Sequence, residues 1–254
     1  MQPEINVFGL SIKTFGICFA AGFVAAGLVV ARRFKELGKP VDWAYEIIFA
    51  ALLGGLIGAR VYFVVENYST VKHDLFGNIF GGSGLVWYGG AIGGAIAVVL
   101  WAHWRKFLNL TMLDMCAVPL AIGYAIGRIG CQVSGDGDYG IPWNGPWAMA
   151  YPHGTVPTKV KVHPTPIYET LVMGLLAWAL WVLRDRYRPG VIFGIYLVGA
   201  GLERFLVEFI RRNDEVLVGL TAPQLESLAM MVAGSIWLWV LARRGGWSPQ
   251  VATA

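Results

Sequence analysis

Residues 44–65 read AYEIIFAALLGGLIGARVYFVV, an uninterrupted apolar run with one acid near its start and one arginine, Arg60, near its end. The run lacks the apolar and polar alternation of a membrane barrel strand, so it reads as a helix. A bilayer core about 30 Å thick takes roughly 20 apolar residues in helical form, and this stretch has that length. Windows of the same kind recur at 14–31, 84–102, 111–130, 164–183, 190–209 and 221–241. The 254-residue chain is 56% hydrophobic and only 14% charged, against roughly 25% charged in soluble domains. The expectation is an all-α polytopic membrane protein of seven transmembrane helices. It forms a single integral membrane domain over residues 1–254, with a small extracytoplasmic cap built from long loops at about 66–83 and 131–163.

The opening MQPEINVFGL has no basic region ahead of the first apolar run, and Arg32, Arg33 and Lys35 follow that run instead. This predicts a retained first helix rather than a cleaved signal. In an alternating seven-span topology, one side collects Arg32, Arg33, Lys35, Lys39, Arg105, Lys106, Arg184, Arg186, Arg188, Arg243 and Arg244. The other side collects Lys13, Lys72, Lys159, Lys161, Arg211 and Arg212. The richer side is cytoplasmic, which places the N-terminus outside and the C-terminus in the cytoplasm. The net charge of +4 is accounted for by those loops and points to no nucleic acid. Cys18, Cys116 and Cys131 and the four histidines lack ligand or disulfide spacing, so no metal, no cofactor and no disulfide is expected.

Gly54 with Gly58, Gly89 with Gly93, Gly90 with Gly94, and Gly123 with Gly127 repeat at the four-residue spacing that lets helix backbones approach. Asp42 reads as an N-cap of the second span, and Thr111 with Asp114 and Thr221 with Gln224 read as capping boxes.

The topology gives each charge inside a span a depth. Arg60, Arg128, Arg204 and Glu208 fall in the outer halves of their spans, and Tyr88, His163, Tyr168 and Glu169 open spans at the same side. Ser134, Asp136 and Asp138 follow Arg128 at that level. Any one of these arginines could snorkel to headgroups. Three at one depth, two beside glycines that allow close approach, fit an anion-binding pocket better. In GLERFLVEFIRR (201–212), Arg204, Glu208 and Arg211 or Arg212 share a helix face, which reads either as site or as an ion-pair ladder. Glu169 has a bland alternative too: with Thr165 as N-cap and Pro166 after it, the acid would sit in the first helical turn, favoured by the macrodipole.

The anions available at that depth are phospholipid headgroups, and arginine forks match phosphate geometry. Breaking a C–O bond of a phosphodiester takes the phosphate from one negative charge toward two. Clustered arginines would therefore stabilise the transition state more than the bound lipid, which is what catalysis requires.

GAR (58–60), GLVWYGGAIGG (84–94), GRIG (127–130), HPTPIYE (163–169) and GLERFLVEFIRRND (201–214) occur in the order found in the prolipoprotein diacylglyceryl transferase family, which the chain resembles over essentially its whole length. The resemblance implies a seven-span enzyme of the bacterial inner membrane. Such an enzyme moves the diacylglyceryl group of phosphatidylglycerol to the thiol of a prolipoprotein's lipobox cysteine, forming a thioether and releasing glycerol phosphate. It implies that Arg128 holds the headgroup phosphate, with Arg204, Glu208 and Tyr88 as further catalytic residues. Arg60, Ser134, Asp136, Tyr168, Glu169, Gly89 and Gly90 would contact substrate. Three departures stand out. Tyr88 replaces the histidine of the family's H-G-G-L motif, and a phenol of pKa about 10 is a poor general base at neutral pH. Cys131, Gln132, Ser134 and Asp136 replace the continuation of the family's G-R-x-G-N-F-x-N-x-E pattern. Pro166 stands for the glutamine of H-P-S-Q-L-Y-E. The alternatives are a lipid-binding paralogue with another acceptor or no transfer, and, less favoured, a transporter, which would need the repeats that this chain lacks.

Overall fold

A computed structural model describes residues 1–7, 9–68 and 86–248. Most of the expected outer loop at 66–83 lies outside the described residues. The described chain is mostly helical: α1 (Thr14–Glu36), α2 (Trp43–Glu66), α3 (Trp87–Trp104), α4 (Leu110–Ser134), α5 (Thr165–Leu183), α6 (Val191–Glu208) and α7 (Ala222–Arg243). Three two-stranded antiparallel hairpins accompany them: β1 (Glu4–Val7) with β2 (Leu10–Lys13), β3 (Met149–Tyr151) with β4 (Thr158–Val162), and β5 (Glu215–Leu217) with β6 (Leu220–Thr221). Each apolar window of the sequence is a helix. By length and composition five of them, α1, α2, α4, α5 and α7, can cross a membrane, so the chain is a polytopic membrane protein. The apolar part of α3 is shorter, and α6 carries Glu203, Arg204 and Glu208 within its 18 residues.

The chain divides into two compact units, one of residues 30–112 and one of residues 1–29 with 113–254. In the unit of residues 30–112, α2 packs on α3 through glycine. A Cβ on Gly54 would lie 2.6 Å from the Gly93 carbonyl oxygen, and one on Gly58 would lie 2.8 Å from the Gly93 Cα. Backbones this close leave no room for side chains. α2 also exposes Tyr45, Phe49, Leu53, Ile57, Val61 and Val65, a run of apolar side chains at four-residue spacing suited to acyl chains. Gly58→Leu is accordingly expected to force the two helices apart, lowering stability by about 1–3 kcal/mol, checked by thermal unfolding in detergent; an unchanged melting temperature would contradict it. At the other end of α2, Glu46 accepts hydrogen bonds from Trp101 (2.8 Å) and Arg105 (2.8 Å from Nε). Phe34, Trp43, Trp101 and Phe107 pack edge-on and tilted around that pair.

In the larger unit, small residues bring α4, α5 and α6 together: Ala121, Ala125, Met173, Ala177 and Ala200 form one buried cluster, and Ala117, Val118, Leu180 and Ile192 another. Gly201 meets α7 so closely that a Cβ would lie 2.9 Å from the Ser227 carbonyl oxygen.

Several end-of-helix expectations change. Asp42 sits at the start of α2 but makes no side-chain cap bond. At α4 the cap is Asn109, whose Oδ1 accepts from Met112 N at 3.0 Å, not a Thr111 box. Asp114 serves another helix: its oxygens accept from Gly190 N (2.7 Å) and Phe193 N (2.8 Å) at the start of α6, where free N–H groups attract an anion. A Cβ on Gly123 or Gly127 would meet nothing within 4 Å, while α1 approaches the Gly123 backbone only at ordinary van der Waals distance, a Cβ on Gly22 lying 3.5 Å from the Gly123 carbonyl oxygen. The Thr221–Gln224 capping box forms at the start of α7.

Candidate active site

The site grows from the C-terminal end of α4. Tyr124 and Arg128 are one turn apart, and the guanidinium lies 4.8 Å from the phenol ring centroid, a cation–π contact. Beyond Ser134 the chain doubles back through Gly135 (φ +58°) and Gly137 (φ +98°), the left-handed region that glycine enters without strain. Here is the local reason for the SGDGDYG sequence: it returns Asp138 over Arg128. The return is held by Gly135 N to Cys131 O (2.9 Å), Asp138 N to Asp136 Oδ1 (3.3 Å) and Thr165 Oγ1 to Asp138 O (2.5 Å). Tyr139 then stacks on Tyr151 (4.7 Å between centroids) and donates to Val156 O at 3.0 Å.

Three arginines and three acids alternate in one network. Arg128 pairs with Asp138 and Glu169. Arg211 reaches Asp138 at 2.5 Å, Glu169 at 3.2 Å and Glu208 at 3.7 Å. Arg204 lies 2.7 Å from Glu208 and 3.9 Å from Glu169. The Arg204–Glu208 approach is a charge contact without hydrogen-bond alignment, since Arg204 Nη1 and Glu208 Oε2 find no hydrogen-bond partner. Glu208 is anchored by Asn213 (2.6 Å) and Thr221 (2.8 Å) on its other oxygen, and Glu169 also accepts from Tyr124 at 3.4 Å. The Glu169 and Glu208 side chains are fully buried, and Asp138 is 30% exposed. A cleft of about 390 Å³ lined by Asp136, Asp138, Tyr139, Arg211, Arg212 and Asn213 opens onto the Asp138 side.

Burial acts to raise the Asp138 pKa, but Arg211 and Arg128 outweigh it and hold the carboxyl below its usual range. A depressed pKa stabilises the fold above the unfolded value of about 3.9 and is lost as pH falls through the folded value. Asp138→Asn is therefore expected to lower the melting temperature at pH 7, and the difference should shrink progressively below about pH 4. Thermal scans across that range in detergent check it; a difference independent of pH would contradict the ion pairing.

The network brings together Arg128, Glu169, Arg204 and Glu208 of the expected residues and adds Asp138, Arg211 and Tyr124. Glu169 lies beyond the first turn of α5, so the macrodipole reading gives way to its three arginines. Thr165, expected as the N-cap, lies inside α5, and Pro164 holds the cap position. Ser134 is buried with its hydroxyl on Cys131 O at 3.3 Å, and Asp136 turns to its own loop. Tyr168 joins Trp147 (2.7 Å) and His163 (3.3 Å) rather than the arginines. Arg212 covers the Tyr139 ring at 4.4 Å. Arg60, Tyr88, Gly89 and Gly90 belong to the unit of residues 30–112, where Gly89 and Gly90 lie against α2. Cys131, Asp136 and Asp138 bring ligand atoms within 4.8 Å of one another, but both Asp138 oxygens are held by guanidiniums. The spacing of Arg211, seven residues after Arg204 and three after Glu208, signalled its membership. Nothing periodic signalled Asp138, because a turn placed it.

Residues 3–240 match the family described as prolipoprotein diacylglyceryl transferase. A Clostridium tetani protein named phosphatidylglycerol–prolipoprotein diacylglyceryl transferase is 30% identical over 240 residues, covering 92% of this chain and 95% of its own. Proteins of the same name from Finegoldia magna (32% identical; 92% of this chain, 93% of the relative) and Leptospira interrogans (31%; 80% and 73%) are also similar. The match runs through both compact units and takes in α4, α5 and α6 with the arginine network they carry. The chain belongs to the prolipoprotein diacylglyceryl transferase family.

Proposed function

We propose that this protein transfers the diacylglyceryl group of phosphatidylglycerol to the cysteine thiol of a prolipoprotein, leaving glycerol phosphate. The observation that carries this reading is the network in which Arg128, Arg204 and Arg211 converge on Glu169 and its neighbouring acids. In this reading the phosphate takes over guanidinium contacts that the carboxylates hold at rest. As the C–O bond breaks and the phosphate gains its second charge, those contacts strengthen. The nucleophile is the incoming thiol, of pKa about 8.5 when free, and the nearby positive charge favours its thiolate. Arg128, Arg204 and Glu208 act on the phosphate. Ser134, Asp136, Tyr168 and Glu169 complete the substrate contacts of the larger unit; in the unit of residues 30–112, Tyr88 is a further catalytic residue, and Arg60, Gly89 and Gly90 contact substrate.

The whole chain works as one transferase domain, since the family match spans both units. All seven helices cross the cytoplasmic (inner) membrane of a bacterium, with the N-terminus outside and the long segment after α4 on the outer side. Arg32, Arg33 and Lys35 at the end of α1, Lys39 after it, and the basic residues between α3 and α4 and between α5 and α6 support that orientation.

Tyr88, standing where the family motif has histidine, favours a second reading: a paralogue that binds anionic lipid and transfers to another acceptor or not at all. The purified protein, given phosphatidylglycerol and a lipobox peptide, separates the two. A diacylglyceryl thioether on the peptide, seen by mass spectrometry, supports transfer. Arg128-dependent lipid binding without product supports the paralogue.

A further inference from the structure

Glu203 is a buried acid that the network does not use. It precedes Arg204 on α6, is 7% exposed, and its Oε1 finds no hydrogen-bond partner. Ala200, three residues earlier and so on the same face, packs with Ala121, Ala125 and Met173, with Tyr124 and Tyr196 against the cluster. That face turns Glu203 toward α4 and α5, where it interacts electrostatically with Arg128, Glu169, Arg204, Arg211 and Tyr124. The charges around it are already matched, since the three guanidiniums face Asp138, Glu169 and Glu208. An ionised Glu203 would add a buried negative charge with no cation left to meet it, and such a group takes a proton instead. A buried carboxyl without a partner, beside a site where charge must develop, is free to make its hydrogen bond to the substrate.

We propose that Glu203 is a catalytic residue that carries a proton at rest and donates it to the phosphate oxygen as that oxygen leaves the glyceryl carbon. The inference rests on the transferase reading above. The sulfur of the thiolate forms the new bond to carbon. The C–O bond breaks, its electron pair stays on the phosphate oxygen, and that oxygen takes the Glu203 proton. The arginines meet the second charge as it develops in the transition state, and glycerol phosphate departs as a monoanion once the proton is delivered. The proton that the thiol released to water on ionising returns to Glu203 and closes the cycle. Thiol and phospholipid have become thioether and glycerol phosphate.

The test is single-turnover transfer by the full-length protein in phosphatidylglycerol nanodiscs, using a lipobox peptide over a range of pH. The wild type is expected to give a bell, rising as the thiol ionises and falling as Glu203 loses its proton. Glu203→Gln should be slower by about 10²-fold at neutral pH and should lose the falling limb, with phosphatidylglycerol binding unchanged. Glu203→Asp, which keeps the acid, should keep the falling limb at a reduced rate. A Glu203→Gln rate close to wild type, or a reduced rate with the falling limb intact, overturns the proposal. So does loss of the limb in Glu203→Asp. If Glu203→Gln fails to bind lipid, the profile of Glu203→Asp decides alone. No transfer by the wild type at any pH is a separate result, which removes the transferase reading itself.

Discussion

Arg128→Ala is expected to slow diacylglyceryl transfer by about 10²–10³-fold, the usual cost of removing one preorganised donor from a developing negative charge. The size of the effect follows from position. Arg128 joins the loop acid Asp138 to the helix acid Glu169, as Arg211 also does, and the Tyr124 ring supports its guanidinium. Its guanidinium can hold two partners at different angles, so it can hand one face to a phosphate while keeping the other on Glu169. Arg128→Lys should be intermediate, because an ammonium keeps the charge but not the fork. The fold should survive both changes, since Arg211 still bridges Asp138 and Glu169. Single-turnover transfer to a lipobox peptide, run beside a lipid-binding measurement, gives the answer. An alanine variant within about tenfold of wild type would remove Arg128 from the chemistry.

Glu169→Ala should instead be a stability lesion, of about 3–5 kcal/mol. Glu169 is fully buried at the point where Arg128, Arg204 and Arg211 converge. Removing it leaves three guanidiniums with two carboxylates, Asp138 and Glu208, at the junction of α4, α5 and α6. Glu169→Gln keeps the shape and some hydrogen bonds but not the charge, and should fall between. A double variant, Glu169→Gln with Arg211→Gln, should recover part of the loss, because it restores the charge count. Unfolding in detergent measures all three. If Glu169→Ala unfolds within about 1 kcal/mol of wild type, water replaces the carboxylate and the network is not what ties the helices.

Helices were legible in the sequence because a membrane span is written as uninterrupted apolar length, and residues 44–65 alone displayed it. Helix faces were nearly as readable: Arg204 and Glu208 meet because they are one turn apart on α6. What sequence could not display were contacts made by turns. Asp136 and Asp138 are chemically alike and two residues apart, and only the positive φ at Gly135 and Gly137 decides that Asp138 reaches Arg128. Asp114 looked like a partner for nearby Thr111, yet it caps a helix 76 residues further on. Small residues misled in a similar way. The glycines of α2 and α3 seat one helix tightly on another, whereas a Cβ at Gly123 or Gly127 on α4 would meet nothing within 4 Å. A four-residue spacing gives the face but not what stands against it.

The alternation of charge among α4, α5 and α6 also bears on how the chain enters the bilayer. Arg128, then Glu169, then Arg204 and Glu208 emerge from the ribosome in that order, and each is costly in lipid until its counterpart arrives. Helix α6, with three ionisable residues in 18, is the least able to partition by itself. Its compensation lies in segments already made: Glu169 for Arg204 at its far end, Asp114 for the amide groups at its near end. The helix that completes the site is thus received by α4 and α5 as a prepared polar seam, and its docking and the assembly of the site become a single event.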